Sequence, residues 1–422
     1  MSLQFILGAS GSGKTRYLYE NIIRLSIDRP NVQYVAIVPE QFTMQTQKDI
    51  VTLHPDHGTM NIDIVSFERL AYRVFEELAV EHPEVLDDMG KSMVLRKVVS
   101  GEQKNLGVFS GHLNQTGFIN QLKSMLSELY QYGIRPEGLK EALEQAKSSL
   151  LKEKLKDLLV VYEAFQREIS NRYITAEEIL DVLCRVVPDS QWIKNSVVTL
   201  DGYTGFTPVQ YRLVELLMVH ARKVIVTVTV DPAAEPYKRA RIQNLFYMSK
   251  DMVCRLEKLA GSRGIARDPD VKLGMGGQAE NVHPGRFGAS PSIAFVEKHL
   301  YRYFPASYKE EPGEIELFQA PTPAGEIEQV ASRIHKLVQN EHVRYREIAV
   351  ITGDLPGYGY EIVNRFQAEG IPYFMDSKKS ILENVMVEFI RASLEVAEKD
   401  FSYESVFRLL KTGLVSREQE KI

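Results

Sequence analysis

Cysteine is nearly absent from this sequence: Cys184 and Cys254 are its only two among 422 residues. They stand far apart and outside any C-x-x-C spacing, which excludes a disulfide framework and a cysteine-built metal cluster. Each reads as a small apolar residue carried on a helix, and a reducing cytoplasm is the expected compartment. Histidine is sparse too, with nine residues and no H-E-x-x-H or similar spacing. Ser/His/Asp chemistry therefore finds no support, and His54 and His57 read as flanking a Pro55-Asp56 surface turn. No apolar run approaches membrane-spanning length, and no signal-peptide pattern precedes the first strand. A basic excess is also missing. Lys plus Arg number 51 against 56 Asp plus Glu, a net charge of −5. Any DNA contact then has to come from a local patch or a partner. A hydrophobic share of 44% and a charged share of 25% are ordinary for a globular protein, and the length predicts two to three domains.

What is present is a full match to G-x-x-x-x-G-K-[ST]: Gly8, Ala9, Ser10, Gly11, Ser12, Gly13, Lys14 and Thr15. Leu3-Gln4-Phe5-Ile6-Leu7 ahead of it is apolar enough for a buried strand. Behind it, Leu18, Ile22 and Leu25 recur at helical spacing, so Lys14 and Thr15 open a helix. In that context the glycines let backbone N–H groups turn inward around phosphate oxygens, and the helix N-terminus adds its positive end. Lys14 is expected to reach the β- and γ-phosphates of a nucleotide, and Thr15 to hold Mg²⁺.

Along the chain, Tyr34-Val35-Ala36-Ile37-Val38 and Ile62-Asp63-Ile64-Val65 read as further strands alternating with helices. That pattern predicts an α/β fold with a parallel sheet. From about 68 to 187 the strand signal vanishes. Leu139 to Val187 contains neither Gly nor Pro, and Leu151, Leu155, Leu158, Leu159, Tyr162 and Phe165 share one helical face. Strands return at Val197-Val198-Thr199-Leu200 and Lys223 to Val230, so residues 76–188 are read as a helical insertion. The first α/β domain is expected over 1–75 plus 189–235. A basic helix and a Gly/Pro-rich connection follow over 236–312, the stretch from Gly261 to Pro291 reading as a long loop. The basic helix could touch DNA phosphates, although such a face is more often simply solvated. A second α/β unit is expected over 313–385, with strands at Ile315–Phe318, Ile348–Ile351 and Gly370–Phe374. Residues 386–422 read as the start of a second helical insertion.

Hydrolysis needs an acid for Mg²⁺ and a group that orients water, usually at the tip of a neighbouring strand. Asp201, after Val197 to Leu200, is the candidate metal acid, with a strand-end turn as its structural alternative. The next position, where many ATP-driven motors place a catalytic Glu, is Gly202. Binding is therefore better supported than turnover. Gln41 lies at another strand end and is a candidate nucleotide contact. Ser66 and Phe67 lie at a third and are candidate DNA contacts, with capping and loop packing as the alternative for each.

These residues, in this order, resemble the N-terminal part of the AddB (RexB) family, the B subunits of bacterial AddAB ATP-dependent helicase–nucleases. The likeness is carried by Gly8 to Thr15, Val38-Pro39-Glu40-Gln41, Val65-Ser66-Phe67-Glu68-Arg69-Leu70-Ala71 and Leu200 to Pro208. Glu326 to Ile334, Tyr345 to Val350, Gly370 to Asp376 and Leu410-Lys411-Thr412-Gly413-Leu414 extend it. The resemblance implies the superfamily 1 helicase layout, two RecA-like P-loop domains with an inserted helical subdomain. It implies double-strand break end processing for recombinational repair, in a heterodimer with an AddA-like motor, on single- and double-stranded DNA. It further implies ATP and Mg²⁺ as ligands, and a degenerate motor that scans the unwound strand for a hotspot sequence. Gly202 and Thr352-Gly353 depart from active motors, which carry a catalytic Glu and a γ-phosphate-sensing Arg there, and no upstream adenine-reading Gln is expected. The family's nuclease domain and 4Fe–4S cluster cannot be placed here, since Cys184 and Cys254 do not match the cluster pattern. The rival readings are an active ATP-driven translocase and a small-molecule P-loop kinase.

Overall fold

The computed structural model describes residues 1–80, 84–113, 115–170, 173–231, 235–274, 286–302, 306–376 and 381–415. The strands among them are β1 (Ser2–Gly8), β2 (Gln33–Ile37), β3 (Ile62–Val65), β4 (Glu84–Leu86), β5 (Tyr173–Thr175), β6 (Ser196–Leu200), β7 (Lys223–Thr229), β8 (Ala266–Arg267) and β9 (Val271–Leu273). Two compact units divide the chain, Met1–Ile315 and Glu316–Ile422.

In the first unit the main sheet runs β3-β2-β6-β7-β1-β8, with β9 also on β1, and every pairing is parallel. A parallel sheet is covered on both faces, and the side chains of β1 show how. Leu3, Phe5 and Leu7 point into one core with Val35, Ile37, Val198, Leu200, Val224 and Val226. Ile6 points the other way, into a second core with Leu18, Tyr19, Ile22 and Ile23. Those four recur along the helix Lys14–Asp28, so period two in the strand and period 3.6 in the helix meet across that face. The same register sets the phosphate loop at the C-terminal edge of the sheet.

A separate core belongs to the helical insertion. Leu95, Val98, Leu122, Leu126, Leu158, Val161, Tyr162 and Phe165 pack together there. They come from the helices Asp88–Gly101, Thr116–Gln131 and Ser149–Ile169. The expected boundaries shift in three ways. The strand signal does not vanish wholly, because β4 and β5 form a short parallel pair; at three residues each they are too brief for an alternating pattern to register. The helix Ile179–Val186 packs through Ile179, Leu183 and Cys184 into the core of the main sheet, so its segment belongs there and not to the insertion. The expected connection over 236–312 supplies β8, β9 and the helix Tyr247–Ser262, whose Met252, Val253 and Leu256 join the same core. Residues 275–285 of the expected long loop lie outside the described residues. Both cysteines are free; burial pushes the Cys184 thiol up to about 12.

The second unit holds the helices Pro323–Asn340, Leu355–Ala368, Val385–Glu398 and Tyr403–Lys411. The three strands expected in it are absent among the described residues. None of the three is paired in a ladder, and Leu317, Ile351 and Phe374 stand 98%, 93% and 92% exposed. A strand pattern becomes a strand only where its N–H and C=O groups find a neighbour.

A buried ion pair links the insertion to the segment leading back to the main core. Lys91 Nζ donates to both Glu177 oxygens, at 2.9 and 2.7 Å. Burial works against the Glu177 charge, yet the bonds from Lys91 hold its carboxyl below the ordinary range. That contribution is therefore present above the unfolded value of 4.5 and lost as pH falls through the folded one. Glu177→Gln strands a buried ammonium and is expected to cost about 3–5 kcal/mol, read by urea denaturation. The double variant Lys91→Met/Glu177→Leu is expected to recover most of that loss.

Candidate functional site

The helix Lys14–Asp28 begins with no side-chain cap and no acidic residue in its first turn. Its leading N–H groups are therefore left for an external anion, as the first turn of any helix has donors without intrahelical partners. Gly13, in the left-handed region at φ 85°, turns the chain into that first turn. A Cβ on Gly8 would collide with Ser12 Oγ and come within 3.0 Å of the Leu273 carbonyl oxygen, so the loop closes only around glycine there. Ser12 Oγ is itself buried and has no hydrogen-bond partner. An orphaned donor inside a glycine cradle fits an anion of phosphate size.

Lys14 Nζ rests on the Ala9 carbonyl oxygen at 2.7 Å. Burial draws its ammonium down to about 8; Asp201 and Glu297 pull the other way, and Arg286 adds to the lowering. A lysine with so weak a hold on its proton in the free protein gains it firmly when an anion arrives.

Asp201 follows β6 and is 7% exposed. Thr15 Oγ1 donates to Asp201 Oδ1 at 3.3 Å, and Thr227 Oγ1 donates to the same oxygen. Tyr19 OH donates to Asp201 Oδ2 at 3.4 Å and is bonded to Thr46 Oγ1 at 3.0 Å. Burial, then the Asp201 charge, push the Tyr19 phenol well above its ordinary value, so it stays a donor. Thr15 and Asp201 are thus brought together across 186 residues of sequence. Beside them opens a groove of about 700 Å³, lined by Gly11, Gly13, Lys14, Thr15, Arg16, Tyr19, Lys48, Asp49 and Arg286 among others.

Gly202 sits at φ 81°, and a Cβ there would meet Pro39 Cδ at 3.4 Å. The backbone at this position favours glycine, so a side chain there would be strained.

The remaining candidates are dispersed. Gln41 is exposed in the short turn Glu40–Phe42 and does not line the groove. Ser66 caps the helix Phe67–Leu78 by accepting from Arg69 N–H at 3.3 Å and is 5% exposed. Phe67, 6% exposed, packs its ring on Tyr203 at 5.4 Å and Phe206 at 6.1 Å. Both side chains are committed to the core, so neither offers a surface to nucleic acid. Of the basic residues near 250, Lys250 is buried and Arg255 pairs with Asp251 at 2.7 Å and covers the Tyr211 ring, while Lys258 on the same helix, and Lys238, Arg239 and Arg241 ahead of it, are exposed.

Sequence reasoning missed Thr227, Tyr19 and Thr46, the other members of the Asp201 network. A threonine inside the apolar run of β7 was the available signal for Thr227. Among the described residues no group of three or more His, Cys, Asp or Glu gathers to hold a metal ion. Among the same residues no helix is long and apolar enough to cross a membrane.

A family described as "ADDB, N-terminal" matches residues 5–297. Similar proteins, each named as the B subunit of an ATP-dependent helicase/deoxyribonuclease, include one from Lachnoclostridium phytofermentans, 41% identical. Others come from Caldanaerobacter subterraneus subsp. tengcongensis and Clostridium novyi, at 35% and 33% identity. Each alignment covers 100% of this chain and 36% of the relative. The chain spans about a third of the length of the curated relatives it matches.

The position of Lys14 sets a pH dependence. Below about 8 its ammonium is already charged and meets a phosphate directly. Above that value binding must first take up a proton, so affinity falls by up to about tenfold per pH unit. Titrating Mg²⁺–ATP affinity from about pH 7 to 9.5 checks this; the expected decline sets in near 8, and Lys14→Ala gives a weak profile without that limb.

Proposed function

Because this chain belongs to the ADDB N-terminal family, we propose that it is the ATP-binding, DNA-contacting part of a helicase–nuclease B subunit with a degenerate motor. Its relatives carry the name of a subunit, which implies a partner chain; an AddA-like helicase–nuclease is the partner proposed here. The role is processing of double-strand DNA ends, with the motor scanning single-stranded DNA for a hotspot sequence.

The observation that carries this reading is the meeting of Thr15 and Asp201 beside Lys14 at an uncapped helix end. The loop N–H groups and Ser12 Oγ bind phosphate oxygens. Lys14 clamps the charge. Thr15 and Asp201 would hold Mg²⁺, which supplies charge neutralisation on the phosphates when bound. Tyr19 and Thr227 keep the Asp201 carboxylate aimed. A RecA-like first lobe is supported by the sheet order, in which β7 lies between the loop-bearing β1 and the Asp201-bearing β6. The superfamily 1 layout of two such lobes is the family-level part of the reading.

The degenerate motor rests on Gly202. No carboxylate side chain stands there to orient an attacking water, and the backbone conformation does not readily accept one. ATP turnover by this chain is accordingly expected to be slow or nil. A nucleotide-binding assay and a phosphate-release assay, with and without single-stranded DNA, test the two halves separately. Wild type is expected to bind Mg²⁺–ATP, and Lys14→Ala to lose about tenfold or more in affinity. Strand-stimulated turnover that Lys14→Ala abolishes would replace this reading with an active translocase.

A further inference from the structure

We propose that Arg286 is a second cation on the polyphosphate at the Gly8–Thr15 loop, an assignment that rests on the reading of that loop as a triphosphate site. Arg286 comes from a part of the sequence with no motif, yet its backbone is fixed to the loop. Its N–H donates to the Gly11 carbonyl oxygen at 2.9 Å. The neighbouring Phe287 ring covers Gly11 so closely that a Cβ there would lie 2.7 Å from Phe287 Cε2 and 3.2 Å from Arg286 Cβ. Gly11 therefore answers to two constraints, its left-handed φ of 72° and this approach of a second segment.

The side chain of Arg286 lines the same groove as Lys14 and Thr15. Among the described residues its guanidinium forms no ion pair and no side-chain hydrogen bond. It is near enough to Lys14 for the two charges to repel. Of the carboxylates around the two cations, Asp201 already accepts from Thr15, Thr227 and Tyr19, while Glu297 acts on the same ammonium and Asp49 lines the groove. Two cations held over one glycine cradle, with Asp201 engaged, form a site that suits an anion. Guanidinium suits it, since its planar fork can take two oxygens of one phosphate. A partner that must supply such an arginine from outside is then not needed for this contact.

The test uses the 422-residue chain and fluorescent ATP with Mg²⁺ at fixed salt. Arg286→Gln is expected to weaken binding about tenfold or more, with Arg286→Lys recovering part of it. Neither is expected to lower the melting temperature without nucleotide, because removing a repelled cation leaves no contact broken. A merely structural arginine would instead lower the melting temperature of the nucleotide-free chain. Wild-type affinity in Arg286→Gln, with Lys14→Ala still defective, overturns the role of Arg286 alone. Failure of the wild type to bind ATP overturns the triphosphate reading and this contact with it. Should Arg286→Gln not fold, Arg286→Met with wild-type affinity overturns the proposal equally.

Discussion

Asp201 sits at the end of β6 almost out of contact with water, held there by three hydroxyls that point at it. An unpaired carboxylate in such a place would protonate or move. Each hydroxyl comes from a different part of the fold: Thr15 from the first turn after the loop, Tyr19 from the next turn, Thr227 from β7. Tyr19 extends the network to Thr46, on the helix that follows β2. One carboxylate therefore ties the loop helix to β6, β7 and, through Tyr19, the helix that follows β2. The strand order places it there, since β7 lies between the loop-bearing β1 and the Asp201-bearing β6.

Electrostatic balance around the loop follows from that anchor. Lys14 is dehydrated and gives up its proton more readily than an exposed lysine, and Arg286 adds positive charge to the same groove. The helix end contributes in the same sense, with neither cap nor acidic residue to offset it. The field is thus assembled before any ligand arrives, which lowers the reorganisation that binding has to supply. Gly202 shows the opposite economy: the backbone turns left-handed against Pro39, a conformation that removes the side chain a hydrolytic motor would use.

Much of the first unit was legible in the residues. The eight-residue loop, the strands β1, β2, β3, β6 and β7 of the first sheet and the helical character of the insertion follow from periodicity and glycine spacing, whereas β8 and β9 do not. Asp201 was legible as an acid at a strand tip. Its hydroxyl network was not, because Thr227, Tyr19 and Thr46 are inconspicuous until the sheet order sets them side by side. Ser66 and Phe67 were read as possible DNA contacts because they end a strand, but a capping bond and a ring cluster bury them. Local pattern identifies an edge; which side of the edge faces water depends on what packs behind it.

The second unit carries the same lesson further. Ile315–Phe318, Ile348–Ile351 and Gly370–Phe374 read as strands in the sequence, and none forms a ladder among the described residues. Helix hydrogen bonds close within one segment, so the sequence by itself determined where the helices run, as it determined the phosphate loop, whose geometry is written in eight consecutive residues. Strand pairing, the partners of Asp201 and the seat of Arg286 against Gly11 all join residues far apart in the chain. Only the tertiary structure decided those, because the hydrogen bonds and charges involved have no local partner to choose.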